Sequence, residues 1–277
     1  MNSEQILLEQ RDINRIRHPK ERIFYFFNAF INTAVILFLI IAVLIIPSEI
    51  LFDDRSQKVY IAVATLFVVA FFSMGSTFAQ TKVYSVRIDE NQFPELYDVV
   101  KDFSKILGLR KTPYIYIRQS NGILNAFAAY FWGRNYVLLN TEIFEIAYLE
   151  HKDIDAVSFI IAHEMAHIRL HHTRFWYNAS ILISKFIPIL GPALSRAQEY
   201  SCDRIAMKIC PQGRHGIFML LLGRHLYKNV NIEKYIKQAE DTDGIFELVI
   251  NANATHPVNT RRIVAIYKPE KAGKLLF

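Results

Sequence analysis

The sequence predicts a mainly α-helical fold with a small β-hairpin or sheet, an α+β domain, preceded by a hairpin of two transmembrane helices. Two long uncharged apolar runs near the N-terminus indicate the hairpin, because each is long enough to cross a bilayer. Helical spacing of apolar residues indicates the later helices, and two β-prone runs around a turn indicate strands. The predicted organisation is an N-terminal segment over 1–22, a membrane hairpin over 23–80 and one domain over 81–277.

The two apolar runs cover 24–46 and 59–79 and contain no Asp, Glu, Lys or Arg. About 20 such residues cross the hydrocarbon core, and the connection over 47–58 is short, so the pair indicates a hairpin. By the positive-inside rule, basic residues outside the pair predict a multi-pass cell-membrane protein whose N-terminus and main domain are cytoplasmic. These residues are Arg11, Arg15, Arg17, Lys20 and Arg22 before the pair, and Lys82 and Arg87 after it.

The composition limits the classes of protein that the chain can represent. Its 277 residues, 52% of them apolar, allow a membrane region and one further domain. Two cysteines argue against a disulfide scaffold, and a net charge of +6 is ordinary for a domain near anionic lipid. No basic cluster interleaved with aromatics appears along the chain, so no nucleic-acid partner is predicted. Residues 1–22 are compatible with a helix on the membrane surface and equally with a solvated helix.

One apolar stretch contains His163, Glu164 and His167, the H-E-x-x-H pattern of zinc sites. On a helix, residues four apart share a face about 6 Å apart along the axis, so both imidazoles can point at one ion. Glu164 lies about 100° around the helix from His163, near enough to reach a metal-bound water. A chance match is the alternative, but these groups stand between apolar neighbours such as Ile161 and Met165. Burying them without partners is costly, and a metal removes that cost.

A catalytic zinc ion needs a third protein ligand from elsewhere in the chain. His171 fails on geometry, because about 12 Å of helix separates it from His163, so His171 and His172 are expected to be exposed at the helix end. Glu199 and Asp203 share a face of a second predicted helix. We predict that Glu199 completes a site for one Zn2+ per chain and that Asp203 hydrogen-bonds a ligating imidazole. A solvated helix face is the alternative for this pair, and the upstream motif argues against it.

The ordered series of short motifs resembles the HtpX-like and CAAX-prenyl-protease-type zinc metallopeptidases of the gluzincin group. The resemblance is carried by A-H-E-M-A-H over 162–167, S-R-x-x-E-Y-x-x-D over 195–203, N-A-F-A over 125–128, T-H-P over 255–257 and R-I over 262–263. The chain departs from the family pattern at Cys202, where a small residue is usual, and at Arg261, where an acidic residue is frequent. The resemblance implies a zincin-like metallopeptidase domain over 81–277.

The same resemblance implies a membrane-bound zinc endopeptidase that acts on membrane or misfolded proteins. Glu164 would then be the general base, and His256 is expected near the oxyanion of the transition state. An extended segment before the catalytic helix is expected to pair with the substrate as an extra strand. Its substrate-binding residues are Asn125, Ala126, Phe127 and Ala128.

Two alternatives from other classes of protein stay open on the sequence alone. The first is a non-catalytic membrane adaptor that retains a structural metal, against which Glu164 argues because a structural site needs no base. The second is a transporter-like protein, against which the scarcity of polar residues in the spans argues. The oligomeric state is left open by the sequence.

The apolar stretch over 175–194 has the length of a membrane span, but the predicted zinc site forbids a single crossing. His167 precedes the stretch and Glu199 follows it, and both must lie about 2 Å from one ion. We therefore expect a bent helical excursion that packs on the domain or enters the near leaflet and walls the cleft. The other predicted helices cover 93–107, 153–172, 193–210, 213–227, 231–240 and 259–268, and the predicted strands cover 114–117, 125–131 and 136–139.

Overall fold

The computed structural model describes residues 7–45, 47–51, 53–223, 226–241 and 244–275. It is mainly helical with one four-stranded sheet, which confirms the predicted mainly α fold with a small sheet. The helices are α1 Gln10–Ile16, α2 Glu21–Ile45, α3 Ser48–Leu51, α4 Asp54–Val83, α5 Pro94–Ile106, α6 Thr141–Phe144, α7 Ile154–Arg169, α8 Phe175–Ala179, α9 Leu190–Ile209, α10 Gly216–Leu222, α11 Ile232–Asp241, α12 Ile245–Asn253 and α13 Asn259–Tyr267. The strands are β1 Ser85–Ile88, β2 Tyr114–Arg118, β3 Ala126–Phe131 and β4 Arg134–Asn140. Residues 1–6 of the predicted N-terminal segment and Ile46 of the first predicted span lie outside the described residues.

Two helices, Glu21–Ile45 and Ser56–Val83, are long and apolar enough to cross a membrane, as judged by length and composition. They coincide with the two predicted apolar runs. The buried residues of α2 are polar, namely Glu21, Asn28 and Asn32, whereas its large apolar side chains are mostly exposed. This distribution is the reverse of that in a soluble amphipathic helix and is suited to a surrounding of lipid.

The sheet has the order β1-β2-β4-β3, with β2 and β4 parallel and the two outer pairs antiparallel. β3 and β4 form the predicted hairpin. Trp132 and Gly133 at its tip both have positive φ, 47° and 79°, as a two-residue type I′ turn requires. β1 was not predicted, because its four residues are too short for a clear alternating pattern. β3 lies at the edge of the sheet, so within the part of the chain that the structure describes one of its sides has no neighbouring strand.

Helix α7 is the central helix of the domain and is buried along nearly its whole length. It packs between α5 and α9 and contacts β3 along one side. A Cβ atom at Gly213 would collide with the carbonyl oxygen of Asp155, so glycine allows the chain before α10 to approach the start of α7 closely. This packing fixes the position of the H-E-x-x-H residues relative to α9 and β3.

The described part of the N-terminal segment packs on the domain, a contact that the sequence does not predict. Ile13 of α1 is fully buried in the main core. The backbone N–H of Leu8 donates to Ile106 O at 2.8 Å, and Nε of Arg204 on α9 donates to Ile16 O at 2.6 Å. The described part of the segment is therefore held by both apolar packing and hydrogen bonds.

The stretch between α7 and α9 is a bent excursion, as predicted, rather than one straight helix. It consists of the short helix α8, a 3₁₀ turn over Ser184–Phe186 and a sharp bend at Ile189, whose φ is 68°. It packs against the first turns of α2, where Tyr25 stacks on Tyr177 with ring centroids 4.7 Å apart. The side chain of Asn32 on α2 hydrogen-bonds the backbone of the excursion twice, so the excursion is anchored to the first apolar helix.

Candidate metal centre

Three side chains from two helices bring one possible ligand atom each to a common point. Nε2 of His163 and Nε2 of His167 on α7 lie 3.3 Å apart. The two oxygens of Glu199 on α9 face one nitrogen each, with Oε2 3.4 Å from His163 and Oε1 3.4 Å from His167. Zinc bonds of about 2.05 Å at tetrahedral angles place ligand atoms about 3.3 Å apart. The spacing of these atoms therefore fits a zinc ion, and the structure brings together all three residues that the sequence predicts as ligands.

Buried carboxylates and a guanidinium surround this point. Glu164, Glu199 and Asp203 are all buried, and the guanidinium of Arg262 lies 2.8 Å from Asp203 and 3.5 Å from Glu199. Asp203 also faces the His163 ring, and Glu199 faces His163, His167 and His256, so both carboxylates have partners within the chain. A divalent cation held by His163, His167 and Glu199 would replace the proton of the His163 ring at Nε2.

Asp203 contacts the side of the His163 ring opposite to the ligand atom. Its Oδ1 lies 2.8 Å from Nδ1 of His163, and its two oxygens accept hydrogen bonds from Nε and Nη2 of Arg262, both at 2.8 Å. Burial acts to lower the pKa of His163, but the charge and hydrogen bond of Asp203, with the hydrogen bond of Glu199, raise that pKa to about 10. An N–H at Nδ1 donated to Asp203 leaves Nε2 to bind a metal once its proton is displaced. Asp203 thus lies where the sequence predicts it.

His172 is buried, so the prediction that it is exposed at the helix end is wrong; His171 is exposed as predicted. Helix α7 ends at Arg169, and the positive φ of 66° at His171 turns the chain back toward the protein. Nδ1 of His172 consequently lies 3.0 Å from Nδ1 of His167. Burial lowers the pKa of His172 to about 4, although the hydrogen bond to Glu21 acts to raise it, so the ring is neutral near pH 7.

The second nitrogen of His172 connects the site to α2. Its Nε2 lies 3.0 Å from Oε1 of Glu21, a fully buried carboxylate that also accepts hydrogen bonds from Arg17 and Ser201. One set of tautomers satisfies every contact when Nε2 of His167 is a ligand. The Nδ1–H of His167 donates to Nδ1 of His172, and the Nε2–H of His172 donates to Glu21.

A cleft of about 450 Å³ opens beside the three ligand atoms. Glu164 lines this cleft, and within the described part of the chain its carboxylate forms no hydrogen bond, so it is available to a water molecule. One wall of the cleft is formed by residues 125–129, which include the predicted substrate-binding residues. Asn178 and Lys185 of the excursion line it as well, as expected for a segment that walls the cleft.

His256 reaches the cleft from the loop between α12 and α13. Its Nδ1 lies 3.3 Å from Oε2 of Glu199, while its side chain is 68% exposed. The hydrogen bond and the charge of Glu199 raise the pKa of His256 above its ordinary value, which favours the ring form with two N–H donors. The structure therefore places a hydrogen-bond donor at the edge of the candidate metal centre, where the sequence predicts His256.

A second group of possible ligands shares His167 with the first group and adds His172 and Cys202. Sγ of Cys202 lies 3.8 Å from Nδ1 of His172. Burial, followed by the charge of Glu199, raises the pKa of the Cys202 thiol well above its ordinary value, and the protonated thiol is a poor metal ligand. The first group, whose third member is a carboxylate, is the better zinc site.

Glu21, His172 and Arg262 contact the site, and the sequence analysis assigned no role to them. Arg262 belongs to the late R-I motif, and that motif was the one signal that pointed to it. Nothing near Glu21 or His172 in the sequence distinguishes either residue from its charged neighbours, because their contact joins positions 151 residues apart.

Comparison with known proteins points to a protease family. The sequence model of Peptidase family M48 matches residues 90–189. These residues contain β3, α7 and the excursion but not Glu199. A protease HtpX homologue from Halobacterium salinarum is 30% identical over 135 residues, which are 48% of this chain and 44% of that protein. The chain thus spans less than half the length of this curated relative. No solved structure matches the chain.

Both matches are with peptidases, and the structure has a group of His and Glu side chains that could hold a metal ion. The two matches, one to M48 peptidases and one to an HtpX homologue, agree with the family resemblance predicted from the motifs.

Proposed function

We propose that this protein is a membrane-bound zinc endopeptidase that hydrolyses peptide bonds of membrane or misfolded proteins. The observation that supports it most is the approach of His163 Nε2 and His167 Nε2 to 3.3 Å, each with an oxygen of Glu199 at 3.4 Å. The Glu164 carboxylate, which forms no hydrogen bond to a described residue, lines the adjoining cleft. In the non-catalytic alternative the metal is structural, and nothing requires a buried carboxylate without a hydrogen bond beside it.

In this proposal His163, His167 and Glu199 hold one zinc ion, which when bound polarises the scissile carbonyl and lowers the pKa of water. Glu164 takes a proton from the attacking water and passes it to the leaving amine. Asp203 and His172 hold the two imidazole rings through their Nδ1 atoms at 2.8 Å and 3.0 Å, so both Nε2 atoms keep their direction.

The free edge of β3 is the proposed docking place of the substrate. β3 pairs with β4 on one side only, and residues 125–129 line the cleft beside Glu164. An extended peptide can add to such an edge through main-chain hydrogen bonds, which do not depend on its sequence. We assign the contacts to Asn125, Ala126, Phe127 and Ala128, and we assign to His256 a hydrogen bond to the oxyanion.

We also propose that the hairpin over 23–80 crosses the cell membrane and that the metallopeptidase domain over 81–277 lies on the cytoplasmic side. The exposed apolar surface of α2 and the basic residues outside the hairpin support this placement. The packing of Ile13 in the main core attaches the N-terminal segment to that domain. Membrane proteins would then reach the cleft near the bilayer surface.

The test is zinc content and casein cleavage of the purified full-length protein, wild type against Glu164→Gln. The variant should keep its zinc and lose cleavage by at least ~10²-fold, because the ligands remain and the general base does not. Glu233→Gln on exposed α11 removes the same charge far from the cleft and is the matched control. Cleavage by Glu164→Gln at the rate of the wild-type protein would overturn the mechanism. A wild-type protein that binds zinc but cleaves nothing would favour the adaptor.

A further inference from the structure

A second cleft, of about 480 Å³, lies between the hairpin tip, the turn after α5 and the chain that follows α7. Its lining is strongly basic, and among the described residues no carboxylate lines it. The basic residues are Arg110, Lys111, Arg134, Arg169, His171 and Arg174. They come from three separate parts of the chain, so the fold assembles a cluster that the sequence does not show.

The cations in this cleft lack the anionic partners that surface cations often have. None of the six forms an ion pair with a described carboxylate. Nε of Arg169 is buried and has no hydrogen-bond partner among the described residues. Burial, followed by the charges of Arg174 and Arg169, lowers the pKa of His171, as expected beside like charges. An anion bound among them would relieve the mutual repulsion and satisfy the buried donor.

Contacts at both sides of the cleft place it near the ends of the two apolar helices. At the hairpin tip, Phe131 packs on Phe78 in the last turns of α4, with ring centroids 4.5 Å apart. On the other side, Arg174 directly precedes α8, whose Tyr177 stacks on Tyr25 in the first turns of α2. If α2 and α4 cross a bilayer, the cleft therefore opens near one membrane surface.

Two exposed tryptophans flank the basic cleft. Trp132 at the hairpin tip is 82% exposed, and Trp176, two residues after Arg174, is 80% exposed. Tryptophan is enriched at the level of lipid headgroups, where its ring meets both apolar chains and water. Their positions indicate the same membrane surface as the helix contacts do.

We propose that this cleft binds the phosphate group of an anionic phospholipid, an inference that rests on the membrane insertion proposed above. Guanidinium groups match phosphate oxygens with paired hydrogen bonds, and the cleft presents four of them without a competing carboxylate. A lipid is favoured over a soluble phosphate because both flanking tryptophans provide apolar surface for the parts of a lipid next to its phosphate. The domain is proposed to lie on the cytoplasmic side, and the cytoplasmic leaflet is the one that carries anionic lipid.

The experiment uses full-length protein in detergent with equal amounts of phosphatidylglycerol and phosphatidylcholine, and native mass spectrometry measures which lipid the protein retains. Phosphatidylglycerol should be retained in preference to phosphatidylcholine. The double variant Arg110→Gln with Arg174→Gln should weaken the affinity for phosphatidylglycerol by about 25-fold, because each basic residue contributes about fivefold. Both arginines are exposed, so their replacement should leave the fold intact. The matched control is Lys234→Gln with Lys237→Gln, two exposed charges on α11.

Equal retention of the two lipids, or an equal loss in the control variant, would overturn the proposal, because the effect would then be general surface charge. A thermal midpoint raised as much by inorganic phosphate as by phosphatidylglycerol would overturn the lipid as the ligand, and so would binding of an oligonucleotide without binding of lipid. Zinc content and casein cleavage of the same preparations test the proposed protease separately, since neither measurement enters the lipid comparison.

Discussion

Nδ1 of His167 and Nδ1 of His172 lie 3.0 Å apart, and this contact connects the candidate metal centre to the first turn of the long apolar helix α2. Beyond His172 the connection continues to Glu21, the first residue of α2. The first apolar helix is therefore more than a tether, because its buried carboxylate helps to set the direction of a ligand ring. Movement of this helix relative to α7 would change the metal site directly.

Replacement of His172 or Glu21 should weaken zinc binding without removing any ligand. We expect His172→Ala and Glu21→Gln each to lower the zinc affinity by about 10- to 100-fold, because the His167 ring loses the partners that fix its tautomer. Competition with a fluorescent chelator measures the affinity. His171→Ala changes the exposed neighbour and serves as the control. Unchanged affinity in both variants, with the fold intact, would show that the contact does not position the ligand.

The three proposed ligands should each be needed for the metal. We expect His163→Ala, His167→Ala and Glu199→Ala to remove most of the zinc measured by atomic absorption, and Asp203→Asn to weaken binding by about 10- to 100-fold. Cys202→Ser separates this assignment from the second group of possible ligands. Zinc content should be unaffected by Cys202→Ser, whereas normal zinc content in Glu199→Ala would place the third ligand elsewhere.

The N-terminal segment should contribute to stability through Ile13. This side chain is fully buried in the main core, so Ile13→Ala leaves a cavity and should cost roughly 2–5 kcal/mol of unfolding free energy. Leu7 in the same segment is 53% exposed, and Leu7→Ala should cost far less. The thermal midpoints of the two variants in one detergent make the comparison. Equal midpoints would mean that the segment does not pack as the structure shows.

Two engineered cysteines, in a background of Cys202→Ala and Cys210→Ala, determine on which side of the membrane the start of α4 and the domain lie. A cysteine at Lys58, in the first turns of α4, should react with a membrane-impermeant maleimide from outside intact cells. A cysteine at Lys234 on α11 should react after the cells are lysed and not before. The opposite pattern would invert the proposed topology while leaving the zinc site untouched.

Local patterns were sufficient to predict the elements that carry the candidate site. Spacing along one helix placed His163 and His167 on one face, and the same argument placed Glu199 and Asp203 on the second helix. The β3–β4 hairpin followed from its turn residues, and its tip has the φ angles that such a turn needs. These features depend on neighbours within a few positions of each other.

Contacts between distant segments were beyond the reach of the same patterns. Whether His172 is exposed or buried depends on the backbone conformation of His171. The positive φ of His171 cannot be predicted from the residue type. The burial of Ile13 depends on a surface supplied by helices far along the chain, so its short helix resembled a surface element. Helix α12 was missed for a related reason, since its apolar residues include several that remain exposed, such as Phe246 and Ile250.

The segment between α7 and α9 should not cross the membrane. His167 and Glu199 stand on opposite sides of it in the chain, yet their ligand atoms lie 3.4 Å apart, so one crossing of about 30 Å is geometrically excluded. The segment also bends at Ile189 and is tied to α2 by the two hydrogen bonds of Asn32. A cysteine is best placed at Phe186, which is 82% exposed, because Ser184 is fully buried and would not react from either side.

In the same cysteine-free background, we expect Phe186→Cys to resist the impermeant maleimide in intact cells and to react in inside-out vesicles. The cysteine at Lys58 is the positive control for the outer face, and the cysteine at Lys234 is the positive control for the inner face. Reaction of Phe186→Cys from the outer face of active cells would contradict either the path of the segment or the assignment of Glu199. The zinc content of Glu199→Ala decides between these two, because a protein that keeps its metal without Glu199 no longer requires both ends of the segment to meet.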